Sequence, residues 1–312
     1  MKDIYAIGLD VGGSHITAGV IAVNDMKLIE ASLCKESFDS NRPADAIMDI
    51  WERVIRTSWK NSGVEEFIGI SVCMPGPFDY KNGICWIKGQ TKYEHFYGLD
   101  VRKLIQNRLG LANDFPVLFE NDADSFGKGE VFRSDENRSK KVMAVTLGTG
   151  LGACFIDKGV AITTGNYVPK DGELYNATYK NSIAEDYVSV RGLINNYYQW
   201  SGIKVETGLE IFNLAQAGDK LAVQAFIKLG EDLATIVIPW LKIFEADSFI
   251  IGGKIANASA FFLPFFENKI KEEGCNINIS ISSDNEAAAL LGATSLIYEK
   301  YFSKDNSFLV LK

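Results

Sequence analysis

The 312-residue chain is 47% apolar and 23% charged, and its 40 acidic against 32 basic residues leave a net charge of −8. Domains run about 50–250 residues, so this is one large or two medium globular domains; a small module and a disordered chain are excluded. The acidic balance repels phosphate backbones and anionic lipid, which argues against nucleic-acid and membrane partners.

Cys34, Cys73, Cys85, Cys154 and Cys275 are odd in number and dispersed, and His15 and His95 are the only histidines. This is neither a disulfide framework nor a zinc ribbon. The opening MKDIYAIGLDVGG places Asp10 too early for a secretory leader, and no apolar run approaches the ~18–20 residues that cross a bilayer, so a cytoplasmic location is expected.

In chain order, Tyr5–Leu9 reads as a strand, Asp10, Gly12, Gly13 and Ser14 as a turn, and the period-2 alternation from Ile16 as a second strand. A dinucleotide fingerprint or a P-loop needs its glycines to open a helix, and the P-loop also needs a Lys; neither condition is met. Pro43–Asn61 has helical spacing and stops at Gly63. Phe67–Cys73 is a buried strand ending at Met74-Pro75-Gly76-Pro77. Asp100–Leu109 reads as a helix stopped by Gly110, and Pro116–Phe119 as a strand running into Glu120-Asn121-Asp122. Strand, glycine turn and strand recur from Val142 through Gly148, Thr149 and Gly150 to Ile156, which suggests a duplicated α/β unit with the two turns facing a cleft. Ser182–Glu185 and Thr207–Glu210 both fit the S/T-x-x-E capping box ahead of helices. Asp219–Phe244 is a long amphipathic helix interrupted at Pro239. Ser248–Ile251 is a strand stopped by Gly252-Gly253, Ile277–Ile281 another strand, and Glu286–Tyr301 an Ala-rich helix.

Three groups of residues can carry chemistry. Tight glycine turns let backbone N–H groups converge on an anion, with Ser14 and Thr149 adding hydroxyls; hairpin turns need the same glycines, but two turns of matched design favour phosphate. Asp10 suits a Mg²⁺ carrying nucleotide phosphates, or equally a turn accepting local N–H bonds. Asp122, beside the Asn121 amide, suits a general base for phosphoryl transfer to an alcohol. Other conspicuous residues default to structure: His15 at the sheet surface or cleft edge, His95 with Tyr93, Phe96 and Tyr97 as plain packing or a pocket lid, and Trp51, Trp59 and Trp200 in core or dimer burial.

Together these motifs resemble the ROK family (repressor, open reading frame, kinase) of bacterial sugar kinases, within the superfamily of actin, hexokinase and heat-shock ATPases. The resemblance spans nearly the whole chain. Asp10-Val-Gly-Gly-Ser14 is similar to the first phosphate motif, D-x-G-G-T, and Gly148-Thr-Gly-Leu-Gly152 to the second. Pro75-Gly-Pro77 with Asp79 resembles P-G-P-x-D, Glu120-Asn-Asp-Ala123 resembles E-N-D-A, and Gly252-Gly253 the adenosine-side glycine pair. Gly172-Glu173-Leu174 resembles the start of G-E-[IL]-G-H, but Tyr175-Asn176 replaces Gly-His and the cysteine-rich zinc loop is missing; Glu185 to Ser189 resembles the segment that follows that loop.

The resemblance implies an α/β fold of two actin-like, ribonuclease H-like domains, mixed sheets flanked by helices, with an interdomain cleft. The smaller domain is expected at residues 1–120 plus 290–312 and the larger at 121–289. It implies ATP-dependent phosphorylation of a hexose or N-acylhexosamine, at the 6-OH. Asp122 would be the catalytic base, and Asn121, Glu173, Asn176 and Glu185 would hold the sugar, Glu185 having the capping box as its other reading. Asp10, Gly12, Gly13, Ser14, Gly148, Thr149, Gly150, Gly252 and Gly253 would bind ATP, with Mg²⁺ on Asp10 through water and no zinc. A homodimer is expected. The alternatives are a non-catalytic sugar sensor, motivated by the lost His and zinc loop, and a regulator of the same family. The regulatory branch carries an N-terminal winged helix, whereas this chain begins at the first strand.

Overall fold

The computed structural model describes residues 3–90 and 92–302; residues 303–312, the end of the stretch 290–312 assigned above to the smaller domain, lie outside the described residues. The chain forms two compact units, one running to Arg133 and resuming at Glu286, the other spanning Ser134–Asn285.

The first unit contains β1 (Tyr5–Val11), β2 (His15–Ala22), β3 (Lys27–Leu28), β4 (Cys34–Ser37), α1 (Ala44–Ser62), β5 (Ile70–Cys73), β6 (Phe78–Asp79), β7 (Ile84–Cys85), α2 (Val101–Leu109), β8 (Val117–Glu120) and α3 (Asp122–Phe132). The second contains β9 (Lys141–Leu147), β10 (Leu151–Asp157), β11 (Val160–Ala161), β12 (Thr178–Tyr179), β13 (Ser182–Ile183), α4 (Val190–Ser201), α5 (Gly208–Gln216), α6 (Lys220–Phe244), β14 (Ser248–Gly252), α7 (Ser259–Glu272) and β15 (Asn278–Ile281). The last helix, α8 (Asn285–Phe302), returns the chain to the first unit.

The two main sheets share one plan. In the first, the order is β3-β2-β1-β5-β8, with β4 also on β2; β1 and β2 are antiparallel, and β1, β5 and β8 run parallel. In the second, the order β11-β10-β9-β14-β15 repeats it, with β9 and β10 antiparallel and β9, β14 and β15 parallel. The duplication expected from the glycine hairpins is therefore a duplication of topology.

Alternation along the strands decides what covers each face of the first sheet. Ile7, Leu9, Ile70, Val72, Val117 and Phe119 join Trp51 and Val54 of α1 and Ile105 of α2 in one core. The opposite face is built from small residues. A Cβ on Gly8 would stand 2.8 Å from the carbonyl oxygen of Leu290, and Cys73 packs with Ala289 and Ala293, so α8 lies close on the sheet. Helix α3 lies equally close on α8. A Cβ on Gly129 would meet the Ala288 carbonyl oxygen at 1.8 Å and one on Gly292 the Ser125 carbonyl oxygen at 1.6 Å. This backbone contact holds α3, and the residues at its start, in the first unit. In the second unit, Val145, Phe155, Phe249 and Ile251 pack against Phe226, Leu233 and Phe244 of α6 and Phe262 and Phe266 of α7.

The capping expectations divide. Thr207 caps α5, its Oγ1 accepting from the Glu210 N–H at 3.3 Å. The Ser182–Glu185 box does not form. Ser182 lies in β13, its hydroxyl bonds the Asp186 carboxylate, and α4 begins later at Ser189. Strand pairing between β12 and β13 consumes the backbone that the box would have made helical.

Candidate active site

Strand register gathers the chemistry of the first unit. Asp10 on β1 is the parallel partner of Cys73 on β5, and Cys73 is the partner of Glu120 on β8. Three polar side chains thus form one row at the carboxyl ends of parallel strands, the edge at which open α/β sheets bind ligands. The Cys73 thiol, fully buried, donates to Asp10 Oδ1 at 3.4 Å. His15 Nε2 lies 3.8 Å from Asp10 Oδ2. The turn between β1 and β2 is braced from outside: Tyr93, buried beside Trp51 and Phe96, donates its hydroxyl to the Gly12 carbonyl at 2.5 Å. Tyr93 and Phe96 are therefore core, as is Trp51, whereas Trp200 is 40% exposed at the end of α4.

Glu120, Asn121 and Asp122 have three different fates. Glu120 is clamped by Lys128 of α3, whose Nζ lies 2.8 and 3.0 Å from its two oxygens, with Glu299 of α8 at 3.5 Å from the same nitrogen. Asn121 is the N-cap of α3, its Oδ1 accepting from the N–H groups of Ala123 at 2.8 Å and Asp124 at 3.4 Å, while its Nδ2 donates to the Tyr80 hydroxyl at 3.2 Å. Asp122, the first helical residue, keeps contact with solvent. Crowding by the surrounding protein, and then the Asp10 carboxylate, push its carboxyl above the ordinary aspartate range, although the Ala123 N–H and Lys92 pull the other way. Lys92 also borders the glycine turn, its Cδ 3.6 Å from where a Cβ on Gly13 would stand.

In the second unit the turn Gly148–Gly150 closes between Leu147 and Leu151, with the Gly148 N–H donating to the Gly150 carbonyl at 3.0 Å. Helix α4 starts against it, the Val190 N–H donating to the Gly148 carbonyl at 2.9 Å. Glu185 sits on the same turn. Its Oε2 accepts from the Leu151 N–H at 3.1 Å and would lie 2.5 Å from a Cβ on Gly150, so only glycine admits it. The other oxygen faces Arg191 at 3.4 Å. Gly252 pairs with Thr146 in the sheet, and Gly253, at φ 84°, is packed so that a Cβ would fall 2.3 Å from the Leu147 carbonyl oxygen. Both expected adenosine-side glycines thus adjoin the strand that feeds the second turn.

Glu173 and Asn176 border a cavity of about 500 Å³ whose other wall is Thr235, Ile236 and Trp240 of α6. Glu185 is tied to this segment by its backbone, its N–H donating to the Tyr175 carbonyl at 3.0 Å. Burial, then the charges of Glu173 and Glu185, raise the Tyr175 hydroxyl above its ordinary range.

Sequence reading gave no site role to Cys73, Lys92 and Tyr80, and took Tyr93 only as part of the His95 cluster. The first is legible only through the parallel register; the others reach the site from loops. Among the described residues no group of three or more His, Cys, Asp or Glu is arranged to hold a metal ion. The Asp10 carboxylate, 18% exposed beside a two-glycine turn, does fit a Mg²⁺ that takes one protein carboxylate and keeps its waters and phosphates. No helix among the described residues is long and apolar enough to cross a membrane.

The chain is 24% identical over 326 residues to a glucokinase of Thermotoga maritima, covering 96% of this chain and 99% of that one. It is 20% identical to a xylose repressor of Caldicellulosiruptor bescii, over 97% of this chain and 80% of that one. Its fold matches the structure of a ROK family glucokinase from Streptomyces griseus in complex with glucose and AMPPNP, with a TM-score of 0.71, 21% identity and coverage of 94% and 98%. A family model described as ROK family matches residues 6–300, and the chain belongs to the ROK family.

Proposed function

We propose that the protein is an ATP-dependent sugar kinase acting on a hexose or N-acylhexosamine, at the 6-OH. The observation that carries this reading is the row of Asp10, Cys73 and Glu120 at the carboxyl ends of parallel strands, beside a glycine turn and running directly into Asn121 and Asp122. Phosphoryl transfer to an alcohol asks the protein for positioning, charge neutralisation and a base near the attacking hydroxyl. Asp122 accepts that proton. Its raised pKa makes it a better base than an ordinary aspartate. The Asn121 amide, fixed by capping α3, presents its Nδ2 beside the Tyr80 hydroxyl to the sugar. Glu173, Asn176 and Glu185 are the other proposed sugar contacts.

Gly12–Ser14 and Gly148–Gly150 supply N–H and hydroxyl donors for phosphate, and Gly252-Gly253 supplies the adenosine side. Asp10 would hold Mg²⁺ through water, and the ion, when bound, neutralises the charge of the phosphates. The Cys73 thiol and His15 orient the Asp10 carboxylate for that task.

A panel of hexoses and N-acylhexosamines with ATP, read by coupled ADP release, tests the reading. Asp122→Asn is expected to lower kcat by roughly 10²–10⁴ with sugar binding retained. The base works deprotonated, so wild-type kcat falls as pH drops through the raised Asp122 pKa, and the acid limb should lie above the usual aspartate range. Near wild-type turnover by Asp122→Asn refutes the assignment. A second reading, a sugar sensor without turnover, draws on the similarity to a xylose repressor; it predicts sugar binding with no sugar-dependent ADP.

A further inference from the structure

The segment from Glu173 to Tyr187 holds three of the proposed sugar-side residues, and its middle is the hairpin β12–β13, with two residues per strand. Such a hairpin has no stability of its own in water. Its stem joins both ends of the segment: the Ala184 N–H donates to the Ala177 carbonyl at 2.8 Å, next to Asn176, and the Glu185 N–H to the Tyr175 carbonyl at 3.0 Å. Its charged anchor on α6 is a single carboxylate. Asp232, 2% exposed in the middle of α6, receives on Oδ1 the Tyr179 hydroxyl at 2.7 Å, the Lys180 ammonium at 2.8 Å and the Lys228 ammonium.

The Lys180 ammonium also lies 4.9 Å from the centroid of the Tyr179 ring and 4.7 Å from that of Tyr187, and these rings meet edge to face at 5.1 Å. Burial opposes ionisation of Asp232, but its three donors outweigh burial and hold the carboxyl below the ordinary range. Asp232 Oδ2 has no hydrogen-bond partner. A buried charge with one oxygen unpaired is costly, and packing of α6 against the core does not require it. The requirement lies at the hairpin.

We propose that Asp232 is a positioning residue for the sugar: through Tyr179 and Lys180 it fixes the hairpin on α6, and the hairpin stem sets Asn176 and Glu185 in place. The proposal rests on the sugar-kinase reading. It assigns to the Asp232 cluster an effect on sugar affinity and none on the base; the Gly148–Gly150 turn, which Glu185 also touches, is held independently by the β9–β10 ladder and the Val190 N–H.

The test uses Asp232→Asn, which keeps the shape and loses the charge, and Lys180→Met, a milder change at a side chain 39% exposed. Each is expected to raise the sugar KM about tenfold or more, the loss of a charge-assisted hydrogen bond, with kcat and the ATP KM within about twofold. Asp232→Glu should recover part of the affinity. Hydrogen exchange should accelerate in residues 174–187 of both variants and nowhere else. An unchanged sugar KM in both variants, or an equal loss in sugar KM, ATP KM and kcat, overturns the proposal. If the wild type phosphorylates no sugar, the kinase reading fails instead; exchange over 174–187 then decides the fastening, and unchanged protection there overturns it.

Discussion

Lys128→Met would remove the cation that Glu120 was buried with. The Lys128 side chain is 5% exposed and Glu120 14%, and the ammonium sits between both Glu120 oxygens and Glu299. Burial pushes the Glu120 carboxyl up, Lys128 pulls it down, and the net direction is upward. Burial likewise opposes the Lys128 ammonium, but the Glu120 and Glu299 charges outweigh it and raise its pKa. Removing one member of a buried pair costs about 3–5 kcal/mol, because the surviving charge stays desolvated. At about 2–4 °C per kcal/mol for a unit of this size, Tm should fall by roughly 6–20 °C.

The pair also joins the end of β8 to α3 on either side of Asp122, so kcat should fall in the surviving folded protein. Urea unfolding of the single variants and of Glu120→Gln/Lys128→Met supplies the cycle. The double variant should be more stable than the sum of the single losses predicts, by about 1 kcal/mol or more. The Lys128 contribution is fully present below the unfolded lysine pKa and is lost as pH rises through the raised folded value, so wild type and Lys128→Met should converge in strongly alkaline solution. A Lys128→Met loss under about 1 kcal/mol, or strict additivity, refutes the argument.

Gly292→Ala should destabilise the first unit by about 1–3 kcal/mol or more, since its Cβ would fall 1.6 Å from the Ser125 carbonyl oxygen and α3 must retreat. Thermal melts measure the loss, and a neutral melt with unchanged kcat would contradict the close contact of α3 with α8. Native-state alkylation followed by mass spectrometry should label Cys34 and Cys275, which are partly exposed, well before Cys73, Cys85 and Cys154. Burial, then Asp10 and Asp122, push the Cys73 thiol far up, so its labelling should await unfolding; labelling of Cys73 ahead of Cys34 would contradict the buried thiol–carboxylate contact.

Local rules made the elements legible. Gly63 and Gly110, both left-handed, end α1 and α2 where the sequence predicts stops, and the two glycine hairpins disclose a repeated unit because period 2 on both sides of a glycine turn admits few other readings. Local rules also misled once, at Ser182–Glu185. The capping-box pattern is satisfied by four residues, whereas the hairpin that displaces it is fastened by Asp232, almost fifty residues farther along the chain and on another helix.

The sequence by itself determined the family, the two glycine turns and the identity of the candidate base, because each is a short pattern of residue types whose chemistry is local. Tertiary structure alone decided how those residues are poised. The register of β1, β5 and β8 brings Cys73 and Glu120 into line with Asp10, and the contact of α3 with α8 holds α3, with Asp122 at its start, in the same unit. The same structure turned Glu120, which the sequence shows as one acid among three, into half of a buried ion pair. Charge and burial depend on neighbours distant in sequence, so no window of residues could have contained them.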